Sequence, residues 1–203
     1  MAQTYVKEVA GATLPAQTAL GTRAGIDAAI LAARTALEVN SDLVLLSIDG
    51  IGAFDHIFRS EMLARLAQLP LSRDMLPFIL LFYGDISTFL LEMENGETWD
   101  IHQGEGCEQG DSLMPLLFAL GLDAAIKEAS QELQEDELVF AFLDDVYLLV
   151  HRDRAYRMYL RFTEMIATQA GVQSHLGKTR CWGHGFPESP PGIEELGPDV
   201  LAG

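Results

Sequence analysis

Two aspartates stand side by side at Asp144-Asp145, between the apolar runs Val139–Leu143 and Val146–Val150. A two-residue hairpin turn favours Gly or Asn because its backbone sits at positive φ, so two like charges there need a reason. One reason is a solvent-exposed turn that tolerates acids. The other is a pair of hard oxygen ligands held at a strand end, their repulsion offset by a divalent cation. Asp49 closes a second apolar run, Leu43–Ile48, as Asp144 closes Val139–Leu143; alone it reads as a turn or helix-cap residue. If the two runs are neighbouring strands, three carboxylates share one small space, which suits two Mg2+ ions acting on phosphate oxygens. Gln109-Gly110-Asp111, preceded by Gly104 and Gly106, forms a glycine-bearing loop that opens a helix. Backbone N–H groups and a helix N-terminus favour an anion there, although Asp111 serves equally as an ordinary cap. Asp55 reads as the N-cap of the helix that follows it.

Periodicity supplies the elements that must position these groups. Ile26, Ala29, Ile30, Ala33 and Leu37 recur at helical spacing within Ala24–Glu38, while residues 1–22 show no clear period. After the break at Asn40-Ser41-Asp42, Leu43–Ile48 reads as a buried strand. Ser60-Glu61 opens a helix that Pro70 stops, and Ser72 caps another that ends near Gly84. Ile86–Met93 and Glu97–His102 flank Asn95-Gly96, a strong hairpin signal. Asp111 caps an apolar helix through about Ser130. Glu132–Glu137 reads as a solvated acidic loop, and Arg154–Ala170 as a helix closed by Gly171. The order helix, strand, helices, hairpin, helix, hairpin, helix predicts an α+β domain with antiparallel strands.

The 203 residues are 49% apolar, which excludes a disordered or fibrous chain. Against 30 Asp and Glu stand 13 Lys and Arg, a net charge of −17, and such a surface repels a phosphate backbone. The one basic cluster is Arg152, Arg154, Arg157 and Arg161; the last three share a helix face and read as solvated beside acidic neighbours. Cys107 and Cys181 make neither a disulfide framework nor a zinc spacing and read as free thiols of a reducing compartment. Met1–Leu20 lacks a basic start followed by an apolar stretch, and no apolar run approaches the roughly 20 residues of a membrane span. The expectation is a soluble intracellular protein, cytoplasmic or nuclear, with no membrane contact.

Four blocks then carry a resemblance. Asp49-Gly50-Ile51-Gly52-Ala53-Phe54-Asp55 resembles the reverse transcriptase motif of an aspartate followed by Ala-Phe-Asp. Gln109 to Phe118 is similar to that family's Gln-Gly-Asp-Pro-Leu-Ser-Pro block, and Phe142-Leu143-Asp144-Asp145 to its aromatic-x-Asp-Asp hairpin. Gly171 to Thr179 resembles its later Gly-Leu…Asn-x-x-Lys-Thr segment. The blocks stand in family order over about residues 17–182, in the manner of non-LTR retrotransposon or group II intron-like enzymes.

The resemblance implies an RNA-directed DNA polymerase palm, an antiparallel sheet backed by helices, using two Mg2+ (or Mn2+) ions, a dNTP and an RNA or DNA template-primer. It implies Asp49 and Asp144 as the main metal ligands, with Asp145 supporting and the Gly50 carbonyl as an added ligand. Phe54 would pack under the incoming sugar, Gln109 and Gly110 would contact the nucleotide, and Lys178 would assist departure of pyrophosphate. The expected layout is a partial fingers segment over 1–40, the palm over 41–182, a flexible acidic tail over 183–203, and no thumb. Departures are Gly50 for an apolar residue, which predicts a looser strand end, Ser112 and Met114 for Pro and Ser, and His175 for Asn. Few basic residues predict weak nucleic-acid binding by this chain. The alternative is a catalytically inactive retroelement-derived palm acting as a binding or structural module.

Overall fold

The computed structural model describes residues 2–184 and 189–201. In chain order the helices and strands are α1 (Ala2–Thr13), α2 (Gly25–Val39), β1 (Leu43–Ile48), α3 (Ala53–His56), α4 (Arg59–Ala67), α5 (Leu76–Tyr83), β2 (Ser87–Glu92), β3 (Thr98–Gln103), α6 (Met114–Gln131), β4 (Leu138–Phe142), β5 (Asp145–His151), α7 (Ala155–Ala170) and β6 (Arg180–Gly183), with short 3-10 turns between some of them. The predicted α+β class holds, with antiparallel strands throughout both sheets.

The main sheet has the order β4-β5-β1-β6. Alternation along a strand gives it two unlike faces. Val44, Leu46, Ile48, Ala141, Val146, Leu148 and Val150 are all buried and rest on α6 and α7. Leu45, Phe140 and Tyr147 point the other way, toward α2, and the Phe140 and Tyr147 rings stack at 5.1 Å. Helix α6 is buried nearly all round, from Leu117 to Ala129, because the sheet, α1, α4 and α7 enclose it.

The second sheet is the hairpin β2–β3. Its turn lies one place from a simple two-residue Asn-Gly turn: pairing ends at Glu92 and Thr98, the Gly96 N–H donates to Met93 O at 2.9 Å, and Gly96 takes φ 81. The hairpin and α5 leave Leu81, Leu90 and Trp99 exposed.

Four expectations change. Residues 1–22 include a full helix, α1, whose Val9 and Ala10 are buried beside α6; its alanines and glycine blur the apolar period. Ser72 is not the cap of the segment it opens. Its backbone N–H and hydroxyl, together with the Leu71 N–H, donate to the Glu8 carboxylate of α1. Glu132–Glu137 is not wholly solvated: Glu137 is buried, accepts the N–H groups of His151 and Gln134 at 2.9 Å each, and meets Arg154 at 2.8 Å. Of the segment 183–203, expected as a flexible tail, 185–188 and 202–203 lie outside the described residues. The rest docks, because Ile193, Leu196 and Val200 are apolar and reach the core, and the Cys181 N–H donates to Val200 O at 2.7 Å.

The Glu137–Arg154 pair ties the open end of the β4–β5 hairpin to α7. Removing one member of a buried pair leaves the other uncompensated. Arg154→Ala is therefore expected to cost about 3 kcal/mol in urea unfolding. Arg161→Ala, which breaks only surface pairs with Glu128, Glu132 and Glu164, costs far less, because exposed ion pairs are screened by solvent. Equal losses would contradict the buried pair's role.

Candidate active site

The carboxylates converge through strand register. β1 pairs with β5 from Leu43↔His151 to Ile48↔Val146, and one further step sets Asp49 opposite Asp145. The β4–β5 hairpin closes at Phe142↔Asp145, so its two turn residues are Leu143 and Asp144, not Asp144 and Asp145. Asp145 is the first residue of β5. Leu143 takes φ 57, a left-handed conformation that a Cβ makes costly. The three acids feel one another: burial first, then the charges of Asp144 and Asp49, hold the Asp145 carboxyl above its ordinary value, while Lys178 pulls it down.

Lys178 reaches the same place. Its Nζ lies 3.1 Å from Asp49 Oδ2, a buried oxygen with no hydrogen-bond partner. The segment that carries Lys178 is tied to β1 by the His175 N–H, which donates to Asp49 O at 2.8 Å, and by the Ile51 N–H to Gln173 O at 2.7 Å. Gly50 bridges to Ser174. A Cβ at Gly50 would stand 2.7 Å from Val172 Cγ1 and 2.9 Å from Ala53 Cβ. The glycine therefore does not loosen the strand end, as expected from sequence; it lets 172–175 close over it.

The Gln109 loop differs from its anion-cradle reading. The Gly106 N–H donates to Ile57 O at 2.9 Å and the Cys107 N–H to Phe54 O at 2.7 Å, so these groups are already engaged within the protein. Gly106, at φ 82, lies so close to α3 that a Cβ would come 2.3 Å from Asp55 O. The loop is a strut that joins the Asp49 and Gln109 segments. Asp55 lies inside α3 and does not cap α4; the N–H of Arg59 donates to Glu105 instead, at 2.7 Å. Asp111 accepts the Leu113 N–H at 2.9 Å and the Tyr83 hydroxyl at 2.5 Å. Gln109 and Gly110 are exposed, and the half-buried Phe54 packs on Phe118 with ring centroids 4.3 Å apart.

Arg59 was missed by sequence reading. Buried, it donates to Gly106 O, Asp85 O and Ser87 Oγ at 2.9, 2.8 and 3.1 Å, anchoring the strut and the root of the β2–β3 hairpin. Nothing in its sequence context marks it, because its acceptors lie 26 to 47 residues away. The basic cluster is solvated only in part, because Arg154 precedes α7 and is mostly buried against Glu137. Arg154 and Arg161 are paired with glutamates, and Arg152 donates to His184 O. Both cysteines are free and buried, and burial pushes each thiol up to about 12, which makes them poor nucleophiles.

Among the described residues no three His, Cys, Asp or Glu side chains form a ready metal cage. The donor set nevertheless fits Mg2+, which takes one or two carboxylates and completes its shell from water and substrate phosphates. Asp49 Oδ2, which here meets only the Lys178 ammonium, is such a donor.

Residues 6–187 match the family described as reverse transcriptase (RNA-dependent DNA polymerase), and the chain belongs to that family. No curated protein matches the sequence. Among solved structures, apo telomerase from Candida tropicalis truncated from the C-terminal domain superposes with a TM-score of 0.67 at 15% identity, covering 92% of this chain and 41% of that one. Telomerase from Candida albicans in complex with a fragment of telomeric RNA gives 0.68 at 12% identity, covering 92% and 35%. These likenesses show the fold, and the chain spans well under half the length of either telomerase. No described helix is long and apolar enough to cross a membrane.

Because the folded protein holds the Asp145 carboxyl above its ordinary value, Asp145 costs stability as pH rises through that window, and the cost persists at neutral pH. In metal-free buffer at pH 7, Asp145→Asn is expected to melt about 1–2 °C higher, as suits a largely exposed charge worth roughly half a kcal/mol. The gain shrinks as pH falls into the carboxylate range. A melting temperature unchanged or lowered at neutral pH would contradict this electrostatic account.

Proposed function

We propose that the chain is the palm portion of a retroelement reverse transcriptase, of the non-LTR retrotransposon or group II intron-like kind. It would join a dNTP to a primer 3′-hydroxyl on an RNA or DNA template. The observation that carries this reading is the β1–β5 register, which brings Asp49 to Asp145 beside the Asp144 turn. Residues 1–40 would complete one edge of a fingers region, and 41–182 would form the palm.

Asp49, Asp144 and Asp145, with the Gly50 carbonyl, would hold two Mg2+ (or Mn2+) ions, which when bound supply Lewis-acid activation of a hydroxyl and charge neutralisation at phosphates. The chain's own residues orient the rest. Phe54, braced by Phe118, presents its exposed part to the sugar of an incoming nucleotide and disfavours a 2′-hydroxyl. Gln109 and Gly110, held out by the Gly106 strut, contact that nucleotide. Lys178 Nζ carries a proton and a positive charge toward the leaving pyrophosphate once Asp49 no longer holds it.

Charge bears on how much of this the chain does by itself. Arg59, Arg65, Lys127, Arg154 and Arg161 already serve carboxylates or carbonyls of the protein. Fewer of the 13 Lys and Arg side chains are thereby left for phosphates, which supports weak primer–template binding by this chain. The same observation favours a second reading, a palm that keeps its fold as a binding or structural module without polymerising.

Melting curves with Mn2+ and a dNTP separate the two. A hundredfold excess over Kd stabilises by about 2.7 kcal/mol, roughly 5–10 °C for a domain of this size. The polymerase reading predicts that rise for the two together, little for either alone, and none in the Asp49→Asn/Asp144→Asn double variant. No rise in the wild type favours the inactive module, and an equal rise in the double variant overturns the assigned site.

A further inference from the structure

The turn that presents Asp144 is held in a conformation its own sequence does not favour. Leu143 carries a branched side chain yet sits at φ 57, where Gly or Asn is the usual occupant. Left to itself, such a turn relaxes toward negative φ and swings Asp144 away from Asp49. Something outside the hairpin must hold it.

That support comes from far away in sequence. Gln17 is 1% exposed, and its side chain reads both backbone groups of Leu143. Oε1 accepts the Leu143 N–H at 2.9 Å, and Nε2 makes a longer bond to Leu143 O at 3.5 Å. Oε1 also accepts the Ala19 N–H at 3.2 Å, which fixes the carboxamide plane. The backbone on either side is locked to the outer edge of β4: the Ala141 N–H donates to Ala16 O at 2.8 Å, and the Thr18 N–H to Ala141 O at 2.9 Å. The Thr18 hydroxyl adds a bond to Ala141 O at 3.1 Å. The segment 16–18 thus works as a short added strand whose one inward side chain ends on the residue before the two aspartates.

We propose that Gln17 is a positioning residue for the metal-bearing turn: its carboxamide fixes the left-handed Leu143 and so sets Asp144 against Asp49. The proposal rests on the reading of Asp49 and Asp144 as metal ligands. It assigns a role at the site to the segment before α2, where among the described residues Gln17 is the one whose side chain reaches the residue before the aspartates. A carboxamide suits the task because it offers an acceptor and a donor in one plane without adding charge to a crowded acidic site.

The test compares Gln17→Leu, which removes both bonds at similar volume, with Gln17→Glu, which keeps the acceptor for the Leu143 N–H. Amide hydrogen exchange at Leu143 is read on the full chain by NMR, and Mn2+ affinity in the presence of a dNTP by electron paramagnetic resonance. In Gln17→Leu, Leu143 should exchange about tenfold faster and Mn2+ affinity should fall about tenfold, while Leu148 within β5 stays protected. In Gln17→Glu, slow Leu143 exchange should return, a rescue that a general loss of packing would not give. Should Gln17→Leu not fold, Gln17→Asn, whose shorter arm withdraws the acceptor, provides the same contrast with Gln17→Glu. Unchanged Leu143 exchange in Gln17→Leu overturns the proposal. So does Mn2+ affinity that is lost in Asp144→Asn but untouched in Gln17→Leu. Mn2+ affinity unaffected by Asp144→Asn instead overturns the metal reading itself.

Discussion

The structure depends on the antiparallel pairing of β1 with β5. The two strands are buried on the face toward α6 and α7, so a slip of β1 by one residue would turn Leu46 and Ile48 outward and bring Ser47 into the core, and a slip of β5 would turn Val146 and Leu148 outward and bring Tyr147 in. The hydrophobic pattern therefore fixes the register, and the register fixes where the acids lie. Asp49 and Asp145 are opposite each other because the buried residues before one and after the other pair as they do. The site is then closed from three sides by segments with their own anchors. The 172–175 chain lies over Gly50, the Gly106 strut docks on α3, and residues 16–18 lie along the edge of β4.

Electrostatics sets the second constraint. A chain of net charge −17 concentrates three carboxylates at one sheet end and sets an exposed lysine, Lys178, 3.1 Å from one of them, Asp49. Elsewhere several of its arginines are committed to contacts within the protein. Arg59 holds two loops through carbonyls and a hydroxyl, and Arg154 compensates Glu137, which would otherwise be a bare buried charge. Such residues stabilise the fold and are not free to grip phosphate. On the proposed reading the site and the surface call for different partners: the site would take a metal-bound nucleotide, whereas the surface gives a nucleic-acid backbone little to hold.

Much of this was legible in the sequence, for physical reasons that differ by element. Leu43–Ile48 was read to the residue because a buried strand between turn residues leaves little freedom. The β2–β3 and β4–β5 hairpins were found, but each turn lies one residue from its predicted place. Turn registry depends on backbone conformations, at Gly96 and Leu143, that residue types only bias. The acidic pair was visible because like charges between apolar strands are unusual. What could not be read were groups whose purpose is a distant partner. Glu8 caps a segment 63 residues away, Glu105 caps α4, and Gly106 is small because Asp55 lies against it. Gly106 and Asp55 were both singled out as chemistry or as a cap, and both proved to be parts of one packing contact. Local sequence shows that a residue has a function, but only the fold distinguishes an anion cradle from a close approach of two backbones.

The central claim is that Asp49 and Asp144 share one cation site at the end of the β1–β5 pairing. Paramagnetic broadening of backbone amides by Mn2+, added with a dNTP to the labelled chain, tests it most directly because it maps the ion by distance. The account predicts that the amides of Gly50, Asp144, Asp145 and Lys178 broaden first and together, ahead of the acidic segment 132–137. Broadening that begins in 132–137, or spreads evenly over the acidic surface with no preference for the sheet end, would contradict it.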